Sequence, residues 1–197
     1  LMESMKDPAF VLIKEQDELE FEQLLKDPVP KATIYKIPVV FHVLHNNGVE
    51  NITHEQIVNG LFILNRDFRL LNADAANVHA EFQGMPADIE VEFVLATKAP
   101  DGTCFNGTTR TMSPLSYDGS SGSAQVTAIK NGNNVYQASW PGNKYLNVFV
   151  CGEIGGAAGY TTNPSFASAT SMTNGIWLLH NYLGSIGTSS SGSSRTL

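Results

Sequence analysis

The clearest pattern of apolar positions in the chain lies between Thr53 and Leu71. Its apolar residues follow one another at spacings of four, three, four and three: Ile57, Leu61, Leu64, Phe68 and Leu71. This spacing places them on one face of an α-helix. Thr53 and Gln56 match a capping box, in which each side chain would satisfy a backbone N–H of the other. The pattern predicts a helix that packs its apolar face against a sheet.

Five other stretches have the patterns of strands. Residues 37–45 and 145–151 are apolar on both alternating faces, which is typical of strands covered on both sides. Residues 89–95 alternate apolar and acidic side chains, which indicates one face in water and a place near a sheet edge. Residues 174–179 form another apolar run, and residues 108–111 predict a short polar strand in a small hairpin.

The order of these elements indicates the fold class. A strand, a long helix and a second strand suggest a βαβ unit, and the later strands have no predicted helix between them. At least one strand is therefore expected to be antiparallel. The prediction is an α/β (α+β) fold: a mixed, twisted sheet with a long backing helix. Residues 112–134 are rich in Ser, Gly and Asn and are predicted to be a long loop, and residues 185–194 a flexible one unless pinned.

The first thirty residues differ from the rest. Acidic residues and Lys are dense there, Gly is absent, and a partial apolar stripe ends at Pro28 and Pro30. Residues 1–30 are predicted to be a helical appendage with a linker, and residues 31–197 the main domain.

Charge and hydropathy exclude two classes of partner. The net charge is −7, and the twelve Lys and Arg are scattered, whereas nucleic-acid binding needs clustered cations. No apolar run approaches the roughly 20 residues that span a bilayer. We therefore expect no nucleic-acid partner and no membrane span.

The two cysteines leave two interpretations open. Cys104 and Cys151 are too few for a disulfide scaffold or for a cysteine-based zinc site. Either they form one disulfide, which would favour an extracellular setting, or they are separate thiols.

The five histidines do not have the spacing of a metal site. His42 and His45 point to opposite faces of one strand, and His54 has no second histidine one helical turn further on. His79 and His180 are isolated. A hydrolytic zinc site needs three protein ligands, so no catalytic and no metal-binding residue is predicted in this chain.

Several segments together resemble a known family. They follow one another in the family's order: 37–45 (Ile-Pro-Val-Val-Phe-His-Val-Leu-His), 64–68 (Leu-Asn-Arg-Asp-Phe), 89–97, 106–111 (Asn-Gly-Thr-Thr-Arg-Thr) and 144–150 (Lys-Tyr-Leu-Asn-Val-Phe-Val). This order is similar to the N-terminal part of the catalytic domain of pappalysin-like metzincin zinc proteases. Residues 195–197 (Arg-Thr-Leu) resemble what immediately precedes the zinc-binding helix of that family.

The resemblance implies a secreted zinc metalloendopeptidase as the parent protein. Zinc would be held by the histidines of a His-Glu-x-x-His-x-x-Gly-x-x-His helix, expected after Leu197, with the glutamate as general base. This chain alone is then expected to hold no zinc and to be inactive. It would also leave apolar surface bare and need a partner, either its own C-terminal half or a second copy. Residues 1–30 would be the remnant of a pro-segment. No calcium-loop spacing is present, and calcium binding stays open.

The resemblance also gives a substrate-binding element. The turn at residues 152–159 holds four glycines, and on the residues alone it is a tight turn between strands. In metzincins the strand after this turn forms the upper rim of the cleft, where an extended peptide or protein substrate pairs antiparallel. Carried onto this chain, the rim consists of Ala157, Ala158, Gly159, Tyr160 and Thr161.

Two alternatives stay open. The chain could be a non-catalytic module that binds peptides or oligomerises through the same strand. It could also be an unrelated secreted α/β adhesion or structural domain.

Overall fold

The computed structural model describes most of the chain. The described residues are 19, 22, 23, 26, 34–118, 122–161 and 170–191. By its internal contacts the chain divides into two compact units, Leu1–Thr33 and Ile34–Leu197. None of the helices in the described residues is long and apolar enough to span a membrane.

In the first unit, the described residues Leu19, Glu22, Gln23 and Lys26 are helical and exposed. The rest of the predicted appendage lies outside the described residues. The boundary between the units falls three residues after the predicted one.

The second unit is built on β1, Tyr35–His45. Its first half pairs with β2, Val91–Leu95, and its second half with β3, Thr108–Met112. Its other side pairs with β4, Leu146–Cys151. β1 is central because its last seven residues are all buried, which matches the apolar run in its sequence.

The sheet continues beyond β4. β6, Gly175–Leu179, pairs with β4, and β5, Gly159–Thr161, pairs with β6 at the far edge. The strand order is β2-β1-β4-β6-β5, with β3 beside β1 as an additional strand. The pairs are parallel except β5 with β6, which is antiparallel. The predicted mixed sheet is confirmed.

Each face of the sheet is covered by a different helix. α1, His54–Phe68, packs on one face, where Ile57 and Leu61 meet Val43 and Val150. α2, Gly122–Gly132, packs on the other face, where Ile129 contributes to a core with Trp177. The predicted backing helix is therefore confirmed as α1.

Two predictions about residues 96–134 are wrong. The segment predicted to be a long loop contains α2 and a 3-10 helix, Pro114–Tyr117. The sequence does not predict this helix because its inward side is a short stripe among small polar residues: Gln125, Val126 and Ile129, with the half-buried Ala128.

The predicted small hairpin is the second error. β3 runs parallel to β1, with Phe41 opposite Thr108. A hairpin-like turn does occur earlier, where an isolated antiparallel bridge joins Lys98 to Cys104 around Asp101. A turn dipeptide marks a reversal of the chain, but it does not specify which strand the next segment joins.

Half of the predicted capping box forms. The Gln56 backbone N–H donates to Thr53 Oγ1 at 3.2 Å, which caps α1. The Gln56 side chain bonds elsewhere, to the segment after β6.

Candidate functional site

β5 forms the edge of the sheet opposite β2. Gly159 lies across from Leu178, and Tyr160 lies across from Trp177. All three residues of β5 are exposed. Among the described strands β5 pairs with β6 alone, so its second edge is directed away from the sheet. An extended peptide could add to this edge as a further strand.

The hydrogen-bond pattern shows which backbone groups of β5 face outward. The Leu179 N–H donates to the Ala158 carbonyl at 3.0 Å. Hydrogen-bonded pairs alternate along an antiparallel ladder, so the next bonded pair is Tyr160 with Trp177. Gly159, between these pairs, directs its N–H and C=O to the outer edge.

The five predicted rim residues divide between a turn and this edge. Ala157 is half-buried, packs against the α2-side core and belongs to the turn, where its N–H donates to the Ile154 carbonyl at 3.3 Å. Ala158, Gly159, Tyr160 and Thr161 are exposed along the edge. The chain reverses at Gly155 and Gly156, whose φ angles of 65° and 75° suit glycine.

Gly159 also has a packing role. A Cβ atom at this position would lie 2.9 Å from Leu178 Cδ2 and 3.1 Å from the Trp177 carbonyl oxygen. A side chain would therefore push β5 away from β6, so glycine permits the close approach of the edge strand.

Aromatic side chains connect the edge to the interior. Tyr160, Trp177, Phe149 and His42 are cross-strand neighbours on β5, β6, β4 and β1, and we call them the aromatic row. The Tyr160 and Trp177 centroids lie 5.8 Å apart at an interplanar angle of 5°. Those of Trp177 and Phe149 lie 4.2 Å apart at 18°, and those of Phe149 and His42 lie 5.2 Å apart at 22°. Each ring is thus stacked on the next across four strands.

The inner end of the aromatic row is a buried polar group. His42 Nε2 lies 3.0 Å from Asn147 Oδ1, and Nδ1 lies 2.7 Å from Thr109 Oγ1. Because an amide oxygen only accepts, Nε2 carries the proton and Nδ1 accepts from the threonine. Burial lowers the pKa of His42 to about 4, against the opposing effect of Asn147. His42 is therefore a neutral core residue with both ring nitrogens engaged.

Comparison with known proteins bears on this arrangement. No family model matches the chain, and no curated protein matches it significantly. Among solved structures, the chain is similar to mirolysin.

Three mirolysin structures give the extent of the similarity. Mature mirolysin of Tannerella forsythia in complex with a cleaved peptide is 30% identical, with a TM-score of 0.69 over 85% of this chain and 60% of that chain. Mirolysin in complex with compound 9 is 32% identical, with a TM-score of 0.69 over 83% and 59%. A promirolysin mutant of T. forsythia is 28% identical, with a TM-score of 0.73 over 99% and 62%.

The mirolysin neighbours are metalloproteases, and the mixed α/β sheet matches a metzincin-like catalytic domain fold. The chain spans about 60% of the length of the mirolysin chains it matches. The similarity therefore concerns a part of the mirolysin chain, and with promirolysin it takes in 99% of this chain.

The histidines of this chain do not form the metal centre that a metalloprotease such as mirolysin needs. In the part of the chain that the structure describes, no group of three His, Cys, Asp or Glu residues could hold a metal ion. His42 is engaged by Asn147 and Thr109, and His45 Nδ1 accepts from the Asn47 N–H at 3.2 Å. The described residues therefore do not fit a zinc ion.

The two cysteines are free thiols in the structure, so the disulfide alternative is not formed. Cys151 is buried at the end of β4, and Cys104 is exposed. Burial raises the pKa of the Cys151 thiol to about 12, which keeps it protonated.

A buried carboxylate in the turn after β1 was not predicted from the sequence. Glu50 is fully buried, and its Oε2 accepts from Tyr117 Oη at 2.6 Å. The backbone N–H groups of Asn46 and Gly48 donate to its Oε1. Burial acts to raise the pKa of Glu50, but these hydrogen bonds outweigh it and lower the pKa to about 2. The sequence Asn46-Asn47-Gly48 indicates a turn, but nothing in the sequence indicates that Tyr117 lies beside Glu50.

Gln56 is a second residue whose contacts were not predicted from the sequence. Its Nε2 lies 2.9 Å from the His180 carbonyl oxygen and 3.0 Å from that of Leu183, and it also contacts Ser189. Its Oε1 accepts from the Thr188 backbone N–H at 3.1 Å. This single buried amide fastens residues 180–189 to the start of α1, so the described part of the predicted flexible loop is pinned.

Proposed function

We propose that this chain is the N-terminal part of the catalytic domain of a secreted, zinc-dependent metalloendopeptidase of the pappalysin-like metzincin class. The main support is β5, an antiparallel edge strand that is open on one side. The fold that holds it is similar to that of mirolysin in complex with a cleaved peptide. A substrate peptide would pair with the exposed part of the predicted rim, residues 158–161, as an added antiparallel strand.

The zinc centre of this proposal lies in the remainder of the parent protein. The described residues supply no set of metal ligands, and the chain spans about 60% of each mirolysin chain. Zinc would activate the attacking water, with its histidine ligands and the general base expected after Leu197. The role of this chain is to hold the peptide backbone beside that centre.

Exposed apolar residues on α1 support a partner for this chain. Val58 is 43% exposed and Phe62 is 64% exposed, one helical turn apart. They flank the stripe that packs on the sheet. The C-terminal half of the catalytic domain would bury them, as the requirement for a partner predicts.

Residues 1–30 are proposed to be the remnant of a pro-segment. The alignment with promirolysin takes in 99% of this chain, and that with mature mirolysin takes in 85%. The difference of 14% corresponds to roughly 28 of 197 residues. That number is close to the length of the predicted appendage, which supports a segment shared with the precursor.

The first experiment is a cleavage assay on the purified parent protein, comprising this chain and the segment that follows it. We expect cleavage of a fluorogenic peptide library, complete loss with a zinc chelator, and recovery on adding back Zn²⁺. This chain alone is the matched control and is expected to be inactive. A parent protein that binds peptides but cleaves none, with or without zinc, would favour the non-catalytic peptide-binding module.

A further inference from the structure

We propose that Tyr160 is a specificity-determining residue, which selects an aromatic side chain at the substrate position that faces it across the edge of β5. The inference rests on the proposed pairing of a peptide with this strand. Beyond that backbone pairing, it specifies that one substrate side chain is aromatic.

The first support is the direction of the aromatic row. Tyr160 is its outermost member and stacks on Trp177 with the two rings almost parallel, at 5°. Trp177 is 2% exposed and Phe149 is buried, whereas Tyr160 is 39% exposed. The stack therefore runs from the core to the open edge and ends on a ring that is still accessible.

The second support is the position of Tyr160 on a paired strand. A strand added at the open edge would place one residue directly across from Tyr160 on the same face of the sheet. Side chains at such positions have Cβ atoms about 4.5–5.5 Å apart. A ring on that substrate residue would therefore stack as the next member of the aromatic row.

The third support is that the Tyr160 ring is held in place before any substrate arrives. Trp177 supports one face, and the first residue of α2 closes in beside both rings. A Cβ added at Gly122 would lie 3.2 Å from Trp177 Cζ2 and 3.3 Å from Tyr160 Oη. A ring that is already ordered loses little conformational freedom when a ligand stacks on it.

The neighbouring positions of β5 do not offer the same contact. Gly159 has no side chain, and Thr161 places its Oγ1 3.1 Å from the Gly175 carbonyl oxygen. The preference should therefore occur at one substrate position and be absent at the adjacent ones. Aromatic stacking beyond area burial corresponds to roughly a 2- to 10-fold preference over an aliphatic residue of similar size.

The test uses the purified parent protease and a cleavable peptide of otherwise fixed sequence. Phe is scanned along the peptide against Leu, and the ratio of kcat/KM for the Phe and Leu peptides is measured at each position. The enzymes are the wild type, Tyr160→Phe, Tyr160→Val and Tyr160→Leu. Tyr35→Leu is the matched control, since Tyr35 is also exposed on a strand, at the start of β1.

We expect the wild type, Tyr160→Phe and Tyr35→Leu to prefer Phe at one position by several-fold. Tyr160→Val and Tyr160→Leu should bring this ratio close to one, and the ratio is the readout because Tyr160 belongs to the proposed rim. Peptides with Arg or Lys at the same position are a further comparison. A preference for Arg there that is larger than the preference for Phe would contradict an aromatic subsite.

Two results would overturn the inference in distinguishable ways. If the wild type cleaves peptides but shows no Phe preference, or if Tyr160→Val keeps it, the subsite is wrong and the protease assignment stands. If no peptide is cleaved, the proposed function fails together with the subsite. Should Tyr160→Val and Tyr160→Leu both fail to fold, the scan on the wild type and on Tyr160→Phe still decides whether the aromatic preference exists, and its absence overturns the inference.

Discussion

At the residue scale, the chain buries polar groups whose partners fix their protonation. Glu50 and His42 are both fully buried. The first is held charged by Tyr117 and two backbone N–H groups, and the second is held neutral beside Asn147 and Thr109. Each has at least one partner distant in sequence, and because both are fully hydrogen-bonded their burial is tolerated.

Glu50 gives a prediction about stability and pH. Its pKa is lowered from 4.5 to about 2 in the folded chain, so its contribution is complete above pH 4.5 and is lost as pH falls towards 2. Glu50→Gln should lower the free energy of unfolding at pH 7 by about 1–3 kcal/mol, because the charged hydrogen bonds weaken. It should also flatten the acid limb of the stability curve.

The measurement is urea unfolding of the parent protein between pH 7 and pH 3. Glu153→Gln is the matched control, since Glu153 is exposed. An acid limb that is equally steep in Glu50→Gln and in the wild type would show that other groups dominate acid unfolding.

At the element scale, the sequence predicted the strands with long apolar runs and the helix with a full apolar stripe. It did not predict α2, whose inward stripe is three residues, nor the parallel pairing of β3. It also could not predict that Gln56 bonds to partners more than 120 residues away. The edge position of residues 158–161 was expected only from the family resemblance, because four exposed residues have no pattern of their own.

Gln56 gives a prediction about one segment. Gln56→Leu keeps the size of the side chain but removes its hydrogen bonds to residues 180–189. The His180 and Leu183 carbonyls then keep only the Thr188 and Ser189 hydroxyls as donors. We expect a loss of about 2–4 kcal/mol in the free energy of unfolding. Amide hydrogen exchange should accelerate at Leu183 to Ser189, on the segment that leads towards the expected zinc helix.

A matched control separates this local effect from general destabilisation. Asn65 on α1 holds β2 in the same manner, with its Nδ2 donating to the Phe93 carbonyl at 2.8 Å and its Oδ1 accepting from the Phe93 N–H at 2.7 Å. Asn65→Leu should loosen β2 and leave residues 183–189 unaffected. Equal exchange rates at these residues in Gln56→Leu and the wild type would rule out the pinning role.

Considered as a whole, the sheet of the second unit has a covered centre and two edge strands, β2 and β5. β1 and β4 are enclosed between α1 and α2, whereas β5 presents its outer edge. The similarity to mirolysin extends over this arrangement. We therefore expect the open edge of β5 to receive a substrate backbone.

Amide hydrogen exchange at Gly159 tests this claim most directly. The parent protease is measured by NMR with and without a non-cleavable peptide. Gly159 directs its N–H to the outer edge, so peptide pairing should slow its exchange by about tenfold or more, whereas the Tyr160 N–H, paired to Trp177, should change less. If a peptide binds and the Gly159 exchange rate stays unchanged, the substrate backbone does not pair with β5.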